Sequence, residues 1–139
     1  IGSPEMNIHP AALQAQQGVP GLVLGGVWLP LPADKAAALP AGLQSLQFGL
    51  RPEHISAGAR ASGESTAVPG TLRSLEHMGN EVFVHFTVGD AAGGVPMTAR
   101  VPADQQQALA GAARGSAHSF HLQMAACHLF SQDDGARLC

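Results

Sequence analysis

The stretch FGLRPEHIS, residues 48 to 56, ends an apolar run in Arg51, Pro52, Glu53 and His54. A guanidinium, a carboxylate and an imidazole this close together could clamp an anion, move a proton or brace a turn. Proline disfavours helix at the residue before it, so Arg51 is held extended and the strand stops there. Arg51 and Glu53 are two apart, which on extended backbone puts both on one side, within reach of an ion pair. That describes a structural corner. Exposed, the same groups would be polar anchors at a subunit contact. The residues alone favour the corner over the binding role and put catalysis last.

Other reactive residue types are present without the spacing that chemistry requires. Seven histidines invite a metal reading, and His118 and His121 are the closest-spaced pair. On a strand their odd offset sends the two rings to opposite faces, so they do not converge on one ion, and Cys127-His128 fails on the same geometry. Lys35 is the single lysine and follows no glycine-rich turn, so a phosphate-binding loop is excluded within this stretch. There is no G-x-S-x-G, H-E-x-x-H or C-x-x-C, and hydroxyl, imidazole and carboxylate sets drawn from the composition have no spacing to unite them. Trp28 and five phenylalanines, with no tyrosine, are a poor stacking platform for single strands and are expected in the core.

The elements that must position these residues are short. A chain of 139 residues that is 45% hydrophobic and 12% charged, with 17 glycines and 10 prolines, fits one domain or two very small ones, rich in strands and turns. Seven Lys+Arg in a net charge of -3 provide no basic stripe for nucleic acid. Two cysteines, Cys127 and the terminal Cys139, make a stabilising disulfide unexpected and fit a reducing cytosol. No apolar window of about 18 residues suggests a membrane span. The start at Ile1-Gly2 reads as a piece of something longer.

Residues 1–20, with Pro4, Pro10 and Pro20, read as an irregular lead-in. GLVLGGVWLPLP (21–32) reads as a hairpin turning at Gly25-Gly26, and 33–42 as a loop with one helical turn. Residues 43–52 are extended and 54–70 read as a mobile connection. Two strands joined through Met78-Gly79-Asn80 follow, the second apolar on both faces and so partly covered on each. DAAGG (90–94) is a turn, 95–101 a strand that Pro96 places at an edge, and 102–115 holds a possible short helix. Strands at 116–124 and 126–131, a QDDG turn and an extended ARLC complete seven or eight short strands, the pattern of a small barrel or sandwich.

Four separated stretches also carry a family pattern. IGSPEMNI (1–8), FGLRPEHI (48–55), VPGTLRSLEHMGNEVFVHF (68–86) and HLFSQDDGARL (128–138) resemble, in order, passages that follow the ATPase domain in ATP-binding subunits of bacterial sugar importers of the maltose and glycerol-3-phosphate type. Met78 stands where leucine is usual, Ser131 where aspartate is common and Asp134 where threonine is. Residues 29–55 look most like the glycerol-3-phosphate branch.

The resemblance implies a mainly β fold, an OB-like small barrel with TOBE-type (MOP-like) strands and one or two short helices. It implies a linker over 1–20 and a regulatory OB/TOBE domain of two intertwined β subdomains over 21–139. It further implies a non-catalytic role in regulation and dimer stabilisation, with ATP and Mg held by an upstream domain and no cofactor, metal or catalytic residue in this stretch. Partners would be a second copy of the ATP-binding subunit, permease subunits through the upstream domain, and a cytosolic regulator, but not nucleic acid; the location would be cytoplasmic, at the inner face of the membrane. Interface positions carried over are Arg51, Pro52, Glu53, His54, Glu76, Gly79, Glu81, His128 and Phe130. Two rivals stand beside it: an oxyanion-binding module using Ser62, Ser65 and Thr66 near Arg60, and an OB-type nucleic-acid binder, which the charge balance disfavours.

Overall fold

The computed structural model describes residues 5–57, 65–89, 94–104 and 109–139. The chain is mainly β, with two five-stranded antiparallel sheets and very little helix, in an OB-like arrangement. Ten strands are described: β1 Asn7–Leu13, β2 Gly21–Leu24, β3 Val27–Pro30, β4 Ser45–Leu50, β5 Ile55–Ala57, β6 Thr66–Met78, β7 Glu81–Val88, β8 Val95–Pro102, β9 Ala117–Leu122 and β10 His128–Phe130. The first sheet runs β10-β4-β1-β2-β3 and the second β5-β9-β6-β7-β8. The chain therefore crosses to the second sheet after β4 and returns for β10, so the first sheet is split in sequence around the contiguous second one.

Turn chemistry sets the hairpins. Gly25 and Gly26 both take positive φ, 59° and 80°, the requirement of the mirror-image turn whose twist matches paired strands. At the β6–β7 turn only Gly79 does, at 63°, as expected when glycine fills the first of two turn positions. The one α-helix among the described residues, α1 Ala33–Ala37, follows Pro32 and stops short of Pro40. Pro96 lies in β8 and β8 is an edge strand, as its missing N–H dictates.

One core joins the sheets. Leu22, Leu24, Leu29, Leu46, Phe48, Leu50 and Leu129 from the first meet Val82, Val84, Phe86, Val88, Met97, Phe120 and Leu122 from the second, all buried. Phe86 and Phe120 stack with centroids 3.8 Å apart and planes 7° from parallel, which requires Gly70 beneath them: a Cβ there would stand 2.6 Å from the Phe120 ring. On the other face of β7, Phe83 and Thr87 are each only 8% exposed, as an apolar two-faced strand demands.

Two expectations need correction. Residues 1–20 contain β1, an interior strand of the first sheet, and not an irregular lead-in alone. Pro10 is tolerated because β1 has only β4 beside it there; β2 pairs with β1 at Ala12 and Leu13 alone. The connection expected over 54–70 is structured at both ends, where β5 and the start of β6 each pair with β9. Its middle, 58–64, lies outside the described residues, as do most of the DAAGG turn and the centre of the expected helix in 102–115.

Candidate interaction site

The proline at position 52 converts the end of β4 into a short 3-10 turn, Pro52–His54, with Pro52 buried. The His54 N–H donates to the Arg51 carbonyl at 3.0 Å, and the His54 carbonyl accepts the Gln123 N–H at 3.0 Å, so the corner is tied to the chain following β9. Glu53 does not pair with Arg51, as its spacing suggested. Its Oε1 lies 3.8 Å from Arg100 Nη2, and Arg100 Nε lies 3.2 Å from Glu81 Oε2. The turn rotates Glu53 off the strand axis, toward β8. Arg100 thus bridges two of the expected positions, Glu53 and Glu81, and stands directly across from the covered Phe83.

Next to this group a polar ladder crosses three strands. His85 Nε2–H donates to Glu76 Oε1 at 2.9 Å, and His85 Nδ1 accepts from Thr98 Oγ1 at 2.9 Å. A hydroxyl, an imidazole and a carboxylate in line suggest nucleophile activation. However, the Thr98 backbone N–H is already given to Asn7 Oδ1 at 2.8 Å, whereas acyl transfer needs such donors facing a developing oxyanion. The ladder is a cross-strand support. Gly79 shapes its hairpin tip, where Met78 is 41% exposed.

The remaining expected residues gather on the outward face of the first sheet. Strand alternation and register put Gln47, Gly49 and Arg51 of β4 on that face, His128 beside Gly49, and Phe130 beside Gln47. Arg137 bridges back to Phe130. Ile8, half exposed at 50%, pairs with Gly49 on the same face, and a Cβ on Gly49 would strike Met6 Sδ and the Phe130 ring. The face continues through Val23 and Trp28, whose Nε1–H donates to the Gln14 carbonyl at 2.7 Å. His128 is held below its usual pKa by burial first, and then by the positive charges of Arg137, Lys35 and Arg51. Burial pushes the Cys127 thiol up to about 11. In the closing turn the Asp134 carboxylate is lowered by accepting the Ala136 N–H, with further help from Ser131, which shows how this turn works with aspartate in place of threonine.

The expected residues thus resolve into two groups, Glu76 and Glu81 on the second sheet with Glu53 turned toward it, and Arg51, His54, His128 and Phe130 about the first. Residues not anticipated are Arg100, Arg137, Lys35 and, above all, Asn7 and His9. Asn7 Nδ2 donates to the Leu50 and Thr98 carbonyls at 2.9 and 3.0 Å, and His9 Nε2–H donates to the Pro96 carbonyl at 2.6 Å. Together they cap the open edge of β8 with side chains. Among the described residues no group of three or more His, Cys, Asp or Glu is arranged to hold a metal.

The MalK OB fold domain family matches residues 2–55, and the TOBE domain family matches residues 48–130. The chain belongs to the TOBE domain family. Among curated proteins, this TOBE chain is 34% identical over 138 residues to the sn-glycerol-3-phosphate import ATP-binding protein UgpC of Salmonella choleraesuis, covering 99% of the chain and 34% of that protein. It is 37% identical over 87 residues to the osmoprotective compounds uptake ATP-binding protein GgtA of Synechocystis, covering 61% of the chain and 23% of the relative. It therefore spans about a third of the length of its UgpC relatives and corresponds to a C-terminal domain of such an ATP-binding subunit. A solved structure of the cytoplasmic molybdate-binding protein ModG with molybdate bound is similar in fold, with a TM-score of 0.61 at 18% identity, covering 88% of this chain and 94% of that one. No helix among the described residues is long and apolar enough to cross a membrane.

Proposed function

We propose that this TOBE chain is a non-catalytic regulatory domain that stabilises the pairing of two ATP-binding subunits in an importer of a sugar or of glycerol-3-phosphate. ATP and Mg would be bound upstream, and permease subunits would be met through that upstream part at the inner face of the membrane. The observation that carries the reading is the outward face of the first sheet, where Met6, Ile8, Val23, Trp28 and Phe130 form an apolar surface with Ile8 half exposed. A chain with so few charges gains more by covering such a face than by hydrating it, and a twofold contact is the commonest way for identical subunits to do so. A cytosolic regulator would compete for the same face. Sedimentation equilibrium tests this: a concentration-dependent dimer that Ile8→Glu weakens is expected, and a monomer at the highest soluble concentration overturns it.

The oxyanion reading has one observation in its favour. An open pocket of about 460 Å³ is lined by Pro30, Leu31, Pro32, Ser65, Thr66, Met124 and Ala125, so Ser65 and Thr66 do face a shared space; Ser62 and Arg60 lie outside the described residues. The described lining offers hydroxyls and no cation, a weak setting for a dianion. Saturable heat on titration with molybdate or tungstate, abolished by Thr66→Ala, would favour it over the pairing role.

A further inference from the structure

Among the described residues three large apolar side chains are well exposed, Ile8, Val19 and Met78. Ile8 belongs to the outward face of the first sheet and Met78 to a hairpin tip. Val19 is carried on a projecting arm. Between β1 and β2 the backbone continues the hairpin beyond the sheet: the Gln14 N–H donates to the Gly21 carbonyl at 2.9 Å, and Gln16 and Val19 exchange two backbone hydrogen bonds, each 2.9 Å. Gln17 and Gly18 make the turn at positive φ, 51° and 80°, the geometry of a tight two-residue hairpin loop. Val19, 43% exposed, therefore stands on an ordered arm and not on a slack loop.

Beside the arm opens an apolar pocket of about 310 Å³, lined by Leu13, Leu31, Leu39 and Leu43, with Ala15 and Pro20 of the arm itself at its rim. Backbone groups around it are already paired: the Leu13 N–H donates to the Gln44 carbonyl at 2.8 Å and the Leu31 N–H to the Pro20 carbonyl at 2.9 Å. With no polar group left to satisfy there, the pocket suits an apolar occupant. Residues 6–33 contain no Asp, Glu, Lys or Arg, and the first charges beyond them, Asp34 and Lys35, are of opposite sign. A second copy brought against this end of the sheet thus meets no field of like charge. Trp28 ties the pocket to the outward face. Its ring lies over Gly21, leaving no room for a Cβ, and its Nε1–H donates to the Gln14 carbonyl, both residues of the pocket lining.

We propose that Val19 of one protomer inserts into the Leu13–Leu39–Leu43 pocket of a second copy, and reciprocally. A knob and a hole side by side on one surface are self-complementary, because a twofold axis midway between them sets each Val19 over the other protomer's pocket. Apolar surface leaves water on both sides of each contact. The insertion rests on the pairing reading and extends that contact from the outward face around the end of the first sheet.

The test joins cross-linking to sedimentation equilibrium. In a Cys139→Ser background, chains carrying Val19→Cys are mixed with chains carrying Leu39→Cys and mildly oxidised; a disulfide-linked dimer is expected from the mixture and from neither variant alone. Val19→Asp is expected to weaken dimerisation about a hundredfold, since each dimer loses two buried valines, whereas Val19→Ile stays within about threefold. Val19 is exposed in the single chain, so these variants should keep the wild-type circular dichroism. A dimer that Ile8→Glu weakens and Val19→Asp does not, or one that gives no mixed disulfide, overturns the insertion while leaving the outward-face pairing in place. Linkage by Val19→Cys alone, which sets the two tips against each other, overturns it as well, and a monomer at the highest soluble concentration overturns both readings.

Discussion

Replacing Asn7 with alanine should be among the most damaging single changes outside the apolar core. Its side chain, in a residue 8% exposed, acts as a short surrogate strand: it donates to the Leu50 carbonyl at 2.9 Å and to the Thr98 carbonyl at 3.0 Å, and accepts the Thr98 N–H at 2.8 Å. Each hydrogen bond contributes about 1 kcal/mol net, and each buried group left unpaired costs about 1–3 kcal/mol. Water can reach part of the β8 edge after truncation, so the two Thr98 groups recover some of this, and the expected loss is about 3 kcal/mol. For a chain of this size that corresponds to a fall in Tm of roughly 10 °C. Asn7→Asp distinguishes the mechanism, because it keeps the acceptor for Thr98 but places a carboxylate against two carbonyl oxygens; it should be no better than alanine above pH 5. Urea unfolding followed by circular dichroism measures both, with Ile8→Ala, half exposed on the opposite face, as a control expected to stay within about 0.5 kcal/mol. A loss below about 1 kcal/mol for Asn7→Ala would refute the view that side chains seal the β8 edge.

Gly70→Ala should cost about 2 kcal/mol, since its Cβ would meet the Phe120 ring at 2.6 Å and Phe86 at 3.0 Å in a core that resists overpacking; urea unfolding reads it, and the additional Phe120→Leu change should recover part of the loss. Cys127, raised from 9.0 to about 11 by burial, should resist alkylation at pH 8 while the more accessible Cys139 reacts, and both should react in denaturant. Because the fold holds that proton more tightly than the unfolded chain, its contribution of roughly 2–3 kcal/mol is complete below about pH 9 and is lost as pH rises toward 11; a stability curve flat over that interval, compared with Cys127→Ala, would contradict this. His128 runs the other way: with its pKa lowered from 6.5, stability is complete above that value and declines as the solution is acidified below it, a slope that His128→Gln should flatten.

Local chemistry made much of the fold legible. Gly25-Gly26 and Gly79 announced their hairpins because each turn needs positive φ at those positions, and Pro96 announced an edge because it lacks a donor. β1 was hidden because NIHPAAL has little strand propensity of its own. It is a strand through pairing with β4, Asn7 opposite Leu50 and Ile8 opposite Gly49, contacts more than forty residues away that no local pattern encodes. The same distance hid Asn7's role: its partner Thr98 is 91 residues along. At the corner, two-residue periodicity correctly set Arg51 extended, but it could not foresee the 3-10 turn that swings Glu53 to Arg100. The closing motif was readable as sequence, yet only the return of β10 to β4 shows that His128 and Phe130 share a face with Arg51.

The two family matches overlap at residues 48–55, the FGLRPEHI stretch itself, and the structure gives this a physical meaning. Phe48 and Leu50 are fully buried in the shared core, while Gly49 lets Phe130 and Met6 close over β4. Pro52 then ends the strand, His54 is fastened to Gln123, and Ile55 opens β5 in the second sheet. Within eight residues the chain leaves one sheet and enters the other, and Glu53 at this joint is paired with Arg100 of β8. Because that pair is partly solvated, its Coulomb energy is modest, and it suits a contact that must rearrange better than one that must hold the two sheets fixed. The fixed connection falls instead to Asn7, two of whose three hydrogen bonds, both to Thr98 of β8, cross the same boundary.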